Sequence, residues 1–167
     1  MNEPNGGAPS AANEDEEMRF SVPIAPTGKG RPRFSATKIV PRDGSRAFTK
    51  VHVHSPAKTM KAEGTISFVA KREMRKNDWS AFVDAVKVEI EAVHKYRKSW
   101  TRKTRDAARE GRLACTVKPD IDNIVKLVLD ALNGVAFVDD KQVVSVTASK
   151  RYGEQDEIKI IIKKEKE

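Results

Sequence analysis

The chain has 167 residues, 34% charged and 38% hydrophobic, with a net charge of +8. That length suits one domain with a real hydrophobic core, and no apolar run approaches the roughly 20 residues needed to span a bilayer, so no membrane role is expected. Residues 1–17 hold five acids and no Lys or Arg, which leaves +13 on residues 18–167. A domain that basic points to a polyanionic partner, the alternative being a solubility feature without one.

Residues 1–17, "MNEPNGGAPSAANEDEE", offer almost nothing to bury and are expected to form a disordered acidic tail, with the folded domain at 18–167. No basic flank, apolar stretch and cleavage site of a secretory signal is recognisable, and Cys115 is the single cysteine. A cytoplasmic protein is expected, with Cys115 as a small core residue.

In chain order, Met18, Phe20, Val22 and Ile24 alternate as one face of a strand. The stretch "APTGKGRPRFS" opposes helix through its glycines and prolines, and sets Lys29, Arg31 and Arg33 at every other position. It reads as an exposed, irregular basic loop, either an ordinary solvated turn or a contact for a nucleic-acid backbone. The P-loop spacing is missing. Further strands are predicted near 49–54 and 65–70. His52 and His54 share one side of the first of these but have no third ligand at zinc spacing.

Asn77 and Asp78 are capping candidates for a predicted amphipathic helix on Trp79, Phe82, Val83, Val86, Ile90 and Val93. It leads into "KYRKSWTRKTR", where Tyr96 and Trp100 stand among six cations. That mixture suits nucleic-acid contact, or else a solvated basic segment. A second helix carries the apolar stripe Ile121, Ile124, Val125, Val128, Leu129 and Leu132, closed by Asn133 and Gly134. "VAFV" reads as a short buried strand, "QVVSVTASK" as a longer one and "EIKIII" as the last. Two main helices among these strands predict an α+β domain with a mixed β-sheet.

The aspartates of "KPDIDNIVKLVLDALNGVAFVDDKQV" are the most informative feature. Inside one helix Asp120 and Asp122 would point about 160° apart, so they converge only if the helix starts between them. Lys118, preceding Pro119, is biased to extended backbone, which leaves Asp120 at or just before the N-cap. Asp122, Lys126 and Asp130 follow at four-residue steps, and for Asp130 a ladder of helix ion pairs is expected. Asp139 and Asp140 return after the short buried strand, either as a simple turn or as part of an oxygen-only site with Asp120 and Asp122. Such a site suits a hard cation such as Mg²⁺, with Lys126 available for developing negative charge.

At these residues the sequence resembles the RusA family of Holliday junction resolvases, including its prophage members. The resemblance rests on "FSVPIAPTGKGRPRF" and on the D-x-D-N-x-x-K segment, the D-A-L-N-G helix end and the D-D-x-Q-V turn, in that order. Residues 35–112 match only in general character. The resemblance implies a RusA-like, homodimeric, Mg²⁺-dependent endonuclease, with Mn²⁺ able to substitute, that cuts four-way DNA junctions by paired symmetric incisions in recombination and repair. It implies metal-binding aspartates at Asp120, Asp122 and Asp140, with Asp139 as a neighbour, and an essential lysine at Lys126. Lys29, Arg31, Arg33 and Lys118 would then bind backbone phosphates, with steep salt dependence. The acidic tail and the basic insert at 95–112 depart from the compact family pattern. Two other readings stand beside this one: a nuclease for other branched or flapped DNA, and a non-catalytic, structure-selective DNA-binding module whose aspartates only cap a helix and a turn.

Overall fold

A computed structural model describes residues 17–165. The strands are β1 (Glu17–Val22), β2 (Arg33–Ile39), β3 (Phe48–His54), β4 (Val86–Lys95), β5 (Val143–Gly153) and β6 (Glu157–Lys164). The helices are α1 (Ala57–Lys76), α2 (Arg102–Arg109) and α3 (Ile121–Leu132), with a 3-10 turn at Asp140–Gln142. The predicted tail lies outside the described residues except for Glu17, which opens β1 opposite Lys163.

Four strands form a mixed sheet in the order β1-β6-β4-β5, and β2 pairs with β3 in a separate two-stranded ribbon. β6 is antiparallel to both neighbours, whereas β4 and β5 are parallel. Two parallel neighbours require the chain to cross back between them. That crossover, residues 96–142, contains α2, α3 and all the aspartates of the predicted site. The α+β class and mixed sheet agree with the sequence reading; of its two main helices, α3 is found, while the other long helix of the fold, α1, lies before Asn77 and not after it.

The main core joins Met18, Phe20 and Val22 of β1 to Val86, Val88 and Ile90 of β4 and to Ile158, Ile160 and Ile162 of β6. Ile66 and Val69 of α1, and Ile124, Leu127 and Val128 of α3, complete it. A smaller cluster gathers Tyr96, Ala108, Cys115 and Tyr152, with Trp100 packed edge-on against Tyr152 at 4.7 Å between ring centroids. Cys115 is buried, as expected. Tyr96 and Trp100 therefore belong to this cluster, so the segment is packed rather than simply solvated.

Three predicted elements are corrected. Residues 65–70 are helical, because Thr59, Ala62, Ile66, Val69 and Ala70 recur at three- and four-residue steps and form the buried face of a 20-residue helix. The predicted helix after Asn77 is instead a loop followed by β4, in which Val86, Val88, Ile90 and Ala92 alternate inward. Asn77 and Asp78 end α1 rather than starting a helix: Asn77 donates through N–H and Nδ2 to the Glu73 carbonyl, and Asp78 adopts a left-handed φ of 52°. Finally, "VAFV" is a turn carrying an isolated bridge from Phe137 to Phe82. Phe137 is fully buried there, so the prediction of burial holds without the strand.

Candidate metal and phosphate site

α3 begins between the first two aspartates. Asp120 is its N-cap, with extended backbone at φ −68° and ψ 150°, and its side chain makes no capping hydrogen bond. The carboxylate is therefore not consumed by the helix end, as pure capping would require. Asp122 is the acidic residue of the first turn.

A groove of about 530 Å³ between α3 and β5 is lined by Asp122, Lys126 and Asp130 along the helix, and by Asp140 from the 3-10 turn. Val146 and Ala148 of β5 form its floor with Ile121, Val125 and Leu129. Asp120 lines a neighbouring cavity of about 360 Å³ with Lys118, Lys58, Asn123 and the 26–29 loop. The structure thus gathers Asp122, Lys126 and Asp140 in one place and sets Asp120 beside them. Among the described residues no three His, Cys, Asp or Glu side chains stand close enough together to hold a metal ion by themselves.

Asp139 and Asp140 are adjacent but have different surroundings. The Asp139 carboxylate accepts from the Lys141 N–H at 3.0 Å, while the Gln142 side-chain carbonyl accepts from the Asp139 N–H at 2.8 Å, a reciprocal capping box. That bond to the Lys141 N–H holds the Asp139 carboxyl below the ordinary aspartate range. Gln142 Nε2 also donates to the carbonyls of Phe82 and Asp84 at 3.1 and 2.9 Å, anchoring the turn to the loop before β4. Asp139 holds the turn together, and Asp140 is the member that faces the groove.

Lys29 was expected to face DNA phosphates from an exposed loop, and both parts of that expectation are corrected. Pro26 and Thr27 are buried and residues 28–30 half-buried. The Lys29 ammonium pairs with Asp130 of α3 at 2.6 Å and with Glu63 of α1. Burial disfavours its charge, but the two carboxylates outweigh that and hold its pKa above the ordinary lysine value. Asp130 consequently pairs across elements rather than in a ladder with Lys126, and Lys126 has no ion pair among the described residues. Lys29 N–H donates to the Asn123 carbonyl at 2.8 Å, and Gly30 N–H to Thr59 Oγ1 at 3.1 Å. A Cβ at Gly28 would lie 2.9 Å from Pro119 Cβ and 3.0 Å from Asn123 Cβ, so only glycine allows the loop this close to the start of α3.

Arg31, Arg33 and Lys118 are exposed. Sequence reasoning missed three supports: Glu63, Gln142, and Lys150, whose Nζ donates to the carbonyls of Val117 and Pro119 and ties the segment before α3 to β5. The paired glycines around Lys29 were the available signal for a close approach.

The donor set is hard oxygen: on the groove, Asp122 and Asp140 have no ion pair among the described residues while Asp130 is taken by Lys29, and Asp120 stands at the adjoining helix start. Mg²⁺ commonly uses one or two carboxylates together with waters and phosphate oxygens rather than an all-protein cage, so these residues fit a divalent cation. The N-terminus of α3 adds a field that favours phosphate.

Replacing Lys29 by Met leaves Glu63 and Asp130 facing each other, and should lower stability to urea by about 1.5–3 kcal/mol at neutral pH. Adding Asp130→Asn should recover part of the loss, and an unchanged unfolding midpoint for Lys29→Met would contradict the clamp. For Asp139, a depressed pKa means that its stabilisation is present above the unfolded value of about 3.9 and is lost as pH falls through the folded value. The melting-temperature gap between wild type and Asp139→Ala should therefore be widest near neutral pH and close in acid.

A family model described as endodeoxyribonuclease RusA matches residues 23–163. The chain is also 32% identical over 148 residues to the uncharacterized protein YqaN of Bacillus subtilis (strain 168), an alignment covering 87% of this chain and 95% of that protein. The fold, the ordered motifs and these matches together make the chain a member of the RusA endodeoxyribonuclease family.

Proposed function

We propose that this protein is a divalent-metal-dependent endonuclease that resolves four-way DNA junctions, acting as a homodimer through paired symmetric cuts. The observation that carries the reading is the α3–β5 groove, where Asp122, Asp140 and Lys126 meet with no ion pair among the described residues. It lies on a domain whose sequence carries +13 outside the first 17 residues. Family membership supports DNA cleavage, and a two-fold junction gives a reason for a closed pair of sites.

Asp122 and Asp140 would hold the cation, with Asp120 joining from the helix start, and Mg²⁺ is the natural choice for all-oxygen ligands. The cation supplies Lewis acidity to the reacting phosphodiester. Lys126, one turn along α3 from Asp122, places a positive charge on the same groove for the charge that develops at phosphorus. The expected ends are 5′-phosphate and 3′-hydroxyl. Lys118, Arg31 and Arg33 bind backbone phosphates, while Lys29 keeps the loop and both long helices in register. Asp139 acts through the turn and not at phosphorus.

The test is cleavage of a labelled four-way junction and of a matched linear duplex, with Mg²⁺ or with chelator. Asp122→Asn should bind the junction about as well as wild type in chelator but cut no strand in Mg²⁺. Lys126→Ala should cut roughly 10²–10³-fold more slowly. Tight junction binding with no cleavage in any divalent metal would leave a DNA-binding module. Cleavage of flaps or forks in preference to the junction would move the activity to other branched DNA.

A further inference from the structure

The β2–β3 ribbon is a separate sheet, and none of its strand residues is buried. A two-stranded ribbon on its own is only marginally stable in water. Residues 31–54 carry six cations, Arg31, Arg33, Lys38, Arg42, Arg46 and Lys50, against the single acid Asp43. None of the six forms an ion pair among the described residues, whereas Lys29, Arg109, Arg151 and Lys163 elsewhere are all paired. The Asp43 carboxylate accepts from the Ser45 N–H within the turn.

The pairing register divides the ribbon into two faces. Phe34 lies opposite Val53 and Ala36 opposite Val51, so these four share one face. Arg33 opposite His54, Ser35 opposite His52 and Thr37 opposite Lys50 make the other face polar and basic over most of its length, until Ile39 opposite Phe48 ends it with an apolar pair, while Lys38 opposite Thr49 ends the apolar face. On the apolar face Phe34 is 72% exposed, Val51 59% and Val53 60%. Among the described residues nothing covers them.

We propose that this ribbon is a DNA-gripping arm, lying in a groove of one junction duplex with its cations on the flanking phosphates and its apolar face toward the base edges. The proposal rests on the nuclease reading above and adds a second contact surface to it. Charge decides between the possible occupants. A second copy would bring the same six unneutralised cations against these, while duplex DNA offers one negative charge per about 1.7 Å of axis. Shape agrees, since a major groove about 12 Å wide admits a two-stranded ribbon. Seven residues per strand at about 3.3 Å each span roughly 23 Å, close to seven base pairs. Base edges present thymine methyl groups that Phe34, Val51 and Val53 can contact without hydrogen bonds.

The test measures binding of the full chain to a four-way junction and to a linear duplex in chelator across a salt series. Arg42→Ala, Arg46→Ala and Lys50→Ala are combined in one variant whose secondary structure is checked by circular dichroism. All three sites are exposed, so the fold should survive. Loss of at least about tenfold in affinity, with the slope of log affinity against log salt falling by about 2–3, supports the arm. Phe34→Ser with Val51→Ser should weaken binding with an unchanged slope and an unchanged sedimentation coefficient. If wild type binds DNA and the triple variant keeps the same slope, the arm is wrong while the nuclease reading stands. If wild type binds no DNA, both fail. A dimer-to-monomer shift in the Phe34→Ser, Val51→Ser variant with unaltered DNA binding would assign the apolar face to a second copy and overturn the proposal.

Discussion

The Lys29 ammonium, held between Glu63 of α1 and Asp130 of α3, is the interaction on which the site depends. It joins the two long helices through a segment that has no regular hydrogen bonds of its own. Water competes poorly there because the loop is half-buried, so each of these bonds is stronger than its surface equivalent and more costly to leave unmade. With Gly28 against Pro119, Lys29 N–H on Asn123 and Lys150 on the Val117 and Pro119 carbonyls, the start of α3 is fixed from both sides. The carboxylates of Asp120 and Asp122 project from that fixed point.

The opposite wall is fixed by a different device. Asp139 and Gln142 close the 3-10 turn on itself, and Gln142 then fastens it to the chain before β4. The D-D-x-Q motif is therefore structural at its first and last residues, and its second aspartate is left facing the groove. A protein that must hold carboxylates near one another at neutral pH needs such constraints, since their mutual repulsion would otherwise spread them apart. A bound cation would relieve that repulsion.

The carboxylates were legible in the sequence because their spacing obeys helix geometry: Pro119 sets the start of α3, and Asp122 and Lys126 must then share a flank. The first strand was legible from the alternation of Met18, Phe20, Val22 and Ile24, and the last from the apolar run "EIKIII". What escaped was long-range or ambiguous. The run Thr65–Ala70 is rich in β-branched residues, and only the wider window from Thr59 shows its helical period. Val86–Val93 satisfies helical and strand spacing together, and burial between β6 and β5 decides for strand. Lys29 looked like a surface cation because its two partners lie 34 and 101 residues away. Tyr96 and Trp100 read as nucleic-acid contacts or a solvated segment because Tyr152, against which Trp100 packs, lies more than fifty residues away in β5.

The most direct measurement of the central claim, that the α3–β5 groove is a divalent-metal site, is an Mn²⁺ titration of the DNA-free protein followed by electron paramagnetic resonance. Wild type should remove free Mn²⁺ signal with a definite stoichiometry. Asp140→Asn should weaken that uptake by at least about tenfold, while Asp139→Asn should leave it much closer to wild type. Equal Mn²⁺ uptake by all three proteins would contradict the assignment of the groove.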